Sequence, residues 1–370
     1  MKILHLVNTL LAGGAELQML TLCTHLKEME QDIMVAFLKG RPRGGARFLG
    51  AEFEAAGITP FNLGADSRFD WRFLPRTSRV IDSFRPEIIH THLPRADLAG
   101  FLGKRRGSKW VCSIHGIYST FWSGAWALNL WSRIWRRADR VVAISHAVAD
   151  WLVTGMNIPP SKITVIHYGI EGQLFSSPAQ DLRGQLGYHK DVPIIGTIAR
   201  LEPGKGLEYL IKAFPLVLGK FPSAVALVAG TDHMGYSKKL MALIQSLGLD
   251  GKVRLLGFQD DVVSFLHAID IFAFPSLSEG FGQVVIEAMA ASRAVVANRI
   301  GPLTEIVVEG ETGLLVEPRD PYRLAEAVCR LLARPEEARS MGAAGKKRVE
   351  GNFSAPRMAQ GMLQLYQEVL

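Results

Sequence analysis

Two doubly wound parallel α/β domains are the fold this sequence predicts, and three observations lead there. Short apolar or β-branched runs alternate with segments of helical period along the chain, the alternation that builds βαβ units. It breaks once, in a polar stretch near the middle, and then resumes. At 370 residues, 48% hydrophobic and 21% charged, the chain is longer than one core usually serves, and that composition excludes disorder.

The first series of strand-like runs is KILHLVN, DIMVAFL, IIHTH, WVCSIH, RVVAIS and ITVIHYG. His5, Asn8 and Thr9 interrupt the amino-terminal apolar run before any small-residue cleavage site, so it reads as a first strand and turn rather than a leader. The uncharged stretch from Trp110 to Ser132 is long enough to span a bilayer, but Ser, His, Gly, Thr and Asn recur through it, and a transmembrane helix is rejected. The polar stretch EGQLFSSPAQDLRGQLGYHKD follows. A second series starts at PIIGTIAR and continues through AVALVAG, VRLLG, IFAFPS, AVVAN and GLLVEP. The expected organisation is a domain over 1–172, a linker over 173–190, a second domain over 191–352 and a C-terminal helix over 353–370 that crosses back to the first domain. Two such domains leave a cleft, and ligands of doubly wound sheets sit beyond the carboxyl ends of the strands.

Charge and cysteine usage narrow the function. Residues 1–172 hold 21 Lys plus Arg against 14 Asp plus Glu, whereas residues 173–370 hold 21 of each, so the whole surplus of +7 lies in the first half. That asymmetry suits an anionic surface or substrate. Cys23, Cys112 and Cys329 form no CxxC pair, which removes a zinc ribbon, a redox motif and a disulfide framework and fits a reducing compartment.

Residues able to carry chemistry fall just after strands. After PIIGTIAR, the loop LEPGKG sets Arg200 and Lys205 beside Gly204 and Gly206, a pattern suited to phosphate or diphosphate, although a solvated loop with two surface cations is the plain alternative. After the first strand, Gly13 and Gly14 permit close backbone approach at a helix start; a tight turn is the alternative there. In SEGFGQVVIEAMA, the spacing of Val284, Val285, Ala288 and Met289 predicts a helix from about Gly282, with Glu279 in the loop before it and Glu287 inside it. Gly280 and Gly282 leave the amides at that helix start accessible. Carboxylates there would accept from sugar and ribose hydroxyls.

RLEPGKG, then FPSLSEGFGQVVIEAMA, then GPLTEIVVEGETGLLVEP resembles the C-terminal half of the family-4 retaining glycosyltransferases, with their E-x7-E signature; GGAE, IIHTH, SIHG and VVAIS resemble the family's first domain. The resemblance covers nearly the whole chain. It implies a GT-B fold, two Rossmann-like domains with a nucleotide sugar in the interdomain cleft. Arg200 and Lys205 would neutralise the diphosphate, Glu279 and His115 would contact the sugar, and backbone of Gly280, Phe281, Gly282 and Gln283 would approach sugar and phosphates beside Val284. Glu287 would hold the ribose and the Gly13–Gly14 loop would close over the diphosphate. No cofactor is implied beyond the nucleotide sugar as co-substrate, with a UDP-sugar favoured and GDP-mannose the alternative. The chain contains no Asp-x-Asp, so metal-independent transfer is expected, with fixed cations and helix amino ends taking the charge.

Five of the seven tryptophans, Trp110, Trp122, Trp126, Trp131 and Trp135, precede or interleave with Arg133, Arg136, Arg137 and Arg140. Two readings stand: an interfacial helix on anionic lipid over Trp122–Arg140, joined by Lys104, Arg105, Arg106 and Lys109, or an aromatic face packed on the first sheet, with the first favoured. A lipid-linked or polysaccharide acceptor and a cytoplasmic protein peripheral to the inner membrane face are expected with it, and no nucleic acid. His90 and His92 are expected to line the cleft rather than bind metal, with Arg95 and Asp97 facing the acceptor. The rival readings are a sugar-nucleotide epimerase or phosphorylase of the same fold, a glycosidase carboxylate pair, and a non-catalytic glycolipid-binding subunit.

Overall fold

In the computed structural model, which describes residues 1–39, 47–65, 70–118 and 125–370, every strand-like run of the sequence is a parallel strand. The chain divides into two compact units, Met1–Ile170 with Ala355–Leu370, and Glu171–Ser354.

The first unit holds β1 (Lys2–Val7), β2 (Asp32–Phe37), β3 (Phe61–Asn62), β4 (Ile88–His92), β5 (Lys109–Ile114), β6 (Arg140–Ala143) and β7 (Ile163–Val165), in the order β3-β2-β1-β4-β5-β6-β7. β3 is a two-residue edge strand with both residues exposed, too short and too polar to show as a period. On one face, Ile3, Ile88, Val111 and Val142 pack with Leu22 and Leu26 of the helix Gly14–Glu28 and with Met358, Met362 and Tyr366 of the helix Ala355–Val369. The last helix of the chain thus completes the core of the first sheet.

The second unit holds β8 (Ile194–Ile198), β9 (Val225–Ala229), β10 (Val253–Gly257), β11 (Ile271–Phe274), β12 (Ala294–Asn298) and β13 (Gly313–Val316), in the order β10-β9-β8-β11-β12-β13. Leu210, Ile211 and Phe214 of one helix and Leu324, Val328 and Leu331 of another cover one face of this sheet. The Gly-, Ser- and Pro-rich stretch after Ile170 belongs to this unit. Its short helix Leu182–Gln185 is held by Arg183, which donates to Asp270 Oδ2 at 2.6 Å and to the Ala268 carbonyl at 3.0 Å, while the Gln180 N–H donates to Ser264 Oγ at 3.0 Å. Its composition lacks an apolar period, but polar contacts order it.

No helix among the described residues is long and apolar enough to cross a membrane. All three cysteines are buried thiols.

Candidate functional site

In the second unit the strand order reverses between β8 and β11, which are paired neighbours. The loops after these strands therefore leave the sheet side by side, where a doubly wound sheet receives its ligand. The first loop carries Arg200 and the turn Pro203–Lys205; the second runs from Pro275 to Gly282 and opens the helix Gln283–Ala290. The Leu277 N–H donates to the Gly204 carbonyl at 2.9 Å, and Asn298 Nδ2, at the end of β12, donates to the Pro275 and Ser276 carbonyls at 2.8 and 3.0 Å. Gly206 closes its turn at φ +60°, and a Cβ there would strike the Pro275 carbonyl. Gly206→Ala is therefore expected to destabilise the second unit by about 2–4 kcal/mol, read as a fall in its melting temperature; an unchanged melting curve would contradict the packing described.

Lys205 and Glu279 meet in this framework, Nζ to Oε1 2.8 Å, with side chains only 13% and 11% exposed. Arg200 turns instead to Glu202, 3.0 Å away, and stays 55% exposed. Of the two expected cations, one is matched by the expected acid and the other stands at the rim.

The helix begins at Gln283, as its spacing predicts, and Gly282 caps it at φ +109°, where a Cβ would lie 2.6 Å from Leu303. Gln283 Nε2 donates to Glu287 Oε1 at 2.8 Å, while Gln283 Oε1 is buried with no hydrogen-bond partner among the described residues. Burial raises the Glu287 carboxyl above its ordinary range, and the Gln283 bond partly offsets this. An unmet acceptor beside a half-buried carboxyl suits a ligand rich in hydroxyl donors. Gly280 and Val284 are half-buried; the Phe281 ring is buried against Phe353, centroids 5.8 Å apart, so its side chain serves the core.

In the first unit, Gly13 is the N-cap of the helix Gly14–Glu28, and the space a Cβ would take there holds Glu16, whose Oε2 would be 2.7 Å from it. The missing side chain makes room for an acid of the same chain. Burial lifts that acid to about 7, partly offset by bonds from its own N–H and from Thr9.

His115 follows β5 and is half-buried. Both of its ring nitrogens are engaged, Nδ1 with Tyr168 Oη at 2.6 Å and Nε2 with His92 Nδ1 at 3.0 Å. His92 Nε2 in turn meets His5 Nδ1 at 3.0 Å. His90 lies alongside, bonded to Tyr366 Oη at 2.5 Å and Ser113 Oγ at 2.7 Å. Burial holds these rings neutral, His5 at about 3 and His115 at about 4, with His90 and His92 well below the usual histidine range.

Three expectations are corrected here. His90 and His92 are almost wholly buried on the side of the sheet that His5 also occupies; His92 lines a small pocket of the first unit with His115, and His90 does not. Asp97 is fully buried, accepting from Thr91 Oγ1 at 2.6 Å and Trp135 Nε1 at 2.9 Å, and so cannot face an acceptor; burial raises it to about 7. Trp110 and Trp135 are core residues, and Ile134 is buried with them. The nitrogens of His5, His90 and His92 lie within 4.8 Å of one another, but all except His5 Nε2 are already in hydrogen bonds.

Part of the aromatic and basic segment is exposed, while Trp131 and Arg140 are half-buried. On the helix Ala125–Trp135, Trp126 is 71% and Leu130 48% exposed; Arg133 continues that face, and Arg137 lies just beyond the helix end. Trp122 lies outside the described residues. Lys104 and Arg105 are paired with Asp139 and Asp82. Sequence reasoning missed His5 and Tyr168 as companions of His115, and Glu16 as the acid that fills the space beside Gly13. The shared side of the histidines on β1 and β4 was the available signal; nothing local marks Glu16 or Tyr168.

A family model described as Glycosyl transferases group 1 matches residues 179–348, and one described as Glycosyltransferase Family 4 matches residues 12–173. The chain is similar to the lipopolysaccharide core biosynthesis mannosyltransferase LpcC of Rhizobium leguminosarum bv. viciae, 30% identical over 243 residues that cover 64% of this chain and 66% of that protein. It is also similar to EpsD of Bacillus subtilis (strain 168), named as a glycosyltransferase, 30% identical over 302 residues that cover 78% of each. Among solved structures, Anabaena HepE in complex with UDP and glucose matches with a TM-score of 0.87 at 24% identity over 99% of each chain, a likeness of fold.

Proposed function

The chain belongs to the family-4 glycosyltransferases of GT-B fold, and from that premise we propose that it moves a hexosyl or N-acetylhexosaminyl group from a nucleotide sugar to a glycan or lipid-linked acceptor with retention of configuration. The observation that carries the reading is the Lys205–Glu279 pair, 2.8 Å apart at the point where the strand order of the second sheet reverses. Lys205, with Arg200 moving in from the rim, meets the diphosphate; Glu279 accepts from a sugar hydroxyl; Gln283 and Glu287 accept from the ribose. The role of His115, contact with the transferred sugar, rests on the family resemblance.

Transfer breaks the anomeric carbon–oxygen bond and leaves the electron pair on the departing diphosphate. Lys205, Arg200 and the N–H groups at the start of the helix Gln283–Ala290 are placed to stabilise that charge. The acceptor hydroxyl bonds to the anomeric carbon on the face the phosphate leaves, and its proton passes to a phosphate oxygen. This scheme asks for no metal, and the sequence contains no Asp-x-Asp to hold one. Turnover is expected to persist in excess chelator; collapse that divalent cation restores would replace the two-cation scheme.

The base is read as uracil, since HepE has been solved with UDP-glucose. LpcC is named as a mannosyltransferase, which makes GDP-mannose the second donor to try. A nucleotide-sugar screen by melting shift and hydrolysis tests both readings: stabilisation and slow hydrolysis with UDP-sugars are expected. Sugar isomerisation without an acceptor, or turnover that requires orthophosphate, would instead indicate an epimerase or a phosphorylase.

The exposed face of Trp126, Leu130 and Arg133, continued by Arg137, supports a peripheral stance on anionic lipid, where such acceptors reside. The protein is expected to sediment with anionic vesicles at low salt and to lose this when Trp126 and Arg133 are both replaced by Ser. Recovery wholly in the supernatant would remove the membrane from this proposal.

A further inference from the structure

We infer that Glu16 must carry a proton before a diphosphate can settle on the turn Gly13–Gly14, so that nucleotide-sugar binding takes up a proton from solvent, an inference that rests on the proposed donor and on the place the family resemblance gives that turn.

The first sheet by itself marks this turn for a ligand. Its strand order reverses between β1 and β4, which are paired neighbours, so the loop after β1 leaves the sheet at a switch point. The helix Gly14–Glu28 starts on that loop from an extended Gly13 that supplies no capping side chain, and Ala12 and Gly14 are exposed. The first N–H groups of a helix have no partner within it and favour an anion.

Glu16 already stands at that helix end. Its carboxyl bonds to its own N–H and to Thr9, and its Oε2 fills the space that a side chain on Gly13 would need. The residue is 9% exposed, so little water is at hand to spread its charge. When ionised, the carboxyl can only accept, and it both competes with an arriving phosphate for the helix end and repels it. When protonated, it carries no charge and has one O–H to donate. A diphosphate on the turn and an ionised Glu16 therefore exclude each other.

The surroundings leave the proton of Glu16 poised. Burial lifts the carboxyl to about 7, against the bonds from its own N–H and Thr9, which pull it down. The titratable groups beside it are the buried phenols of Tyr118 and Tyr168, both raised chiefly by burial and further by neighbouring charges, Glu16 among them. Both stay protonated near neutrality and bring no positive charge. On the same helix, His25 and Lys27 lie in the last turn, at the far end from Glu16. A second negative charge at the turn then decides the balance in favour of the acid form.

The test is calorimetric titration of the full-length protein with UDP-glucose in buffers of different ionisation enthalpy, which counts the protons bound. The parent is expected to take up about one proton per UDP-glucose at pH 8 and almost none at pH 6. Its Kd should weaken about tenfold over that interval, as the protonated fraction of Glu16 falls by that factor. Glu16→Gln, neutral and of the same shape, should bind with no proton uptake and with one Kd at both pH values. A role in capping the helix alone would change the stability of that variant and leave the proton count in place. If Glu16→Gln does not fold, Thr9→Val is read instead: losing a bond that lowers the carboxyl should move the fall in affinity to higher pH. Proton uptake missing from the parent or kept in Glu16→Gln, or an unmoved pH profile in Thr9→Val, overturns the inference. GDP-mannose is titrated in the same way. Failure of both nucleotide sugars to bind removes the proposed donor and the inference together, whereas binding without proton uptake removes the inference alone.

Discussion

Lys205→Met is expected to lower kcat by about two to three orders of magnitude, the usual loss when one fixed donor to a developing oxyanion is removed. The same change should cost stability, because Glu279 would be left without its partner in a place that is 11% exposed to water. A carboxylate stranded in this way costs about 1–3 kcal/mol, less than a fully buried one because some solvent still reaches it. Glu279→Gln should produce a similar loss of turnover for a different reason, removal of an acceptor for the sugar.

The two effects separate in the double variant Lys205→Met/Glu279→Gln. With both charges gone, nothing is stranded, so the melting temperature should recover toward that of the parent while turnover stays lost. A double-mutant cycle on melting temperature and kcat measures both. Lys205→Met retaining kcat within about threefold would remove Lys205 from the charge stabilisation proposed here.

Acidification is expected to unfold the first unit well before ordinary acid denaturation. His5, His90, His92 and His115 are held neutral in the folded chain, His5 to about 3 and His115 to about 4, and each titrates near 6.5 once unfolded. As pH falls through 6.5 the unfolded chain therefore takes up four protons that the folded chain refuses. Two carboxyls oppose this: Glu16 and Asp97, raised to about 7, are protonated in the folded chain and ionised in the unfolded one until pH nears 4. The net difference is roughly two protons in favour of the unfolded state, a loss on the order of 2–3 kcal/mol per pH unit between pH 6 and 5. Below about pH 4 the unfolded carboxyls are protonated as well and their opposition ends. The stabilisation is thus present above pH 6.5 and lost as pH falls. Scanning calorimetry from pH 7.5 to 5 should show one transition moving down steeply; a melting temperature constant over that range would mean that the histidines are solvated.

What the sequence disclosed and what it hid divide along a physical line. Twelve of the thirteen strands show as apolar runs, and β3 is missed because two exposed residues carry no period. The helix beginning at Gln283 and the neighbouring positions of Lys205 and Glu279 follow from local spacing and from loops leaving adjacent parallel strands. The burial of Asp97 against Trp135, 38 residues away, and the line from His5 to Tyr168 follow from nothing local. A charged or polar residue enters a core only when a distant partner meets its hydrogen bonds, and one sequence does not display such partners. The tryptophan-rich segment divides for the same reason: Trp135 reaches Asp97, whereas Trp126 has no such anchor among the described residues and stays exposed.

The helix Ala355–Val369 bears on how the molecule is made. Its Tyr366 bonds to His90, and Met358 and Met362 lie against Ile3 and Val111. During synthesis the first sheet leaves the ribosome long before this helix exists, so its apolar face must wait uncovered while the whole second unit is translated. The half of the protein made first is the last to be finished, and in that interval a chaperone would find its binding surface on Ile3, Leu22 and Ile88.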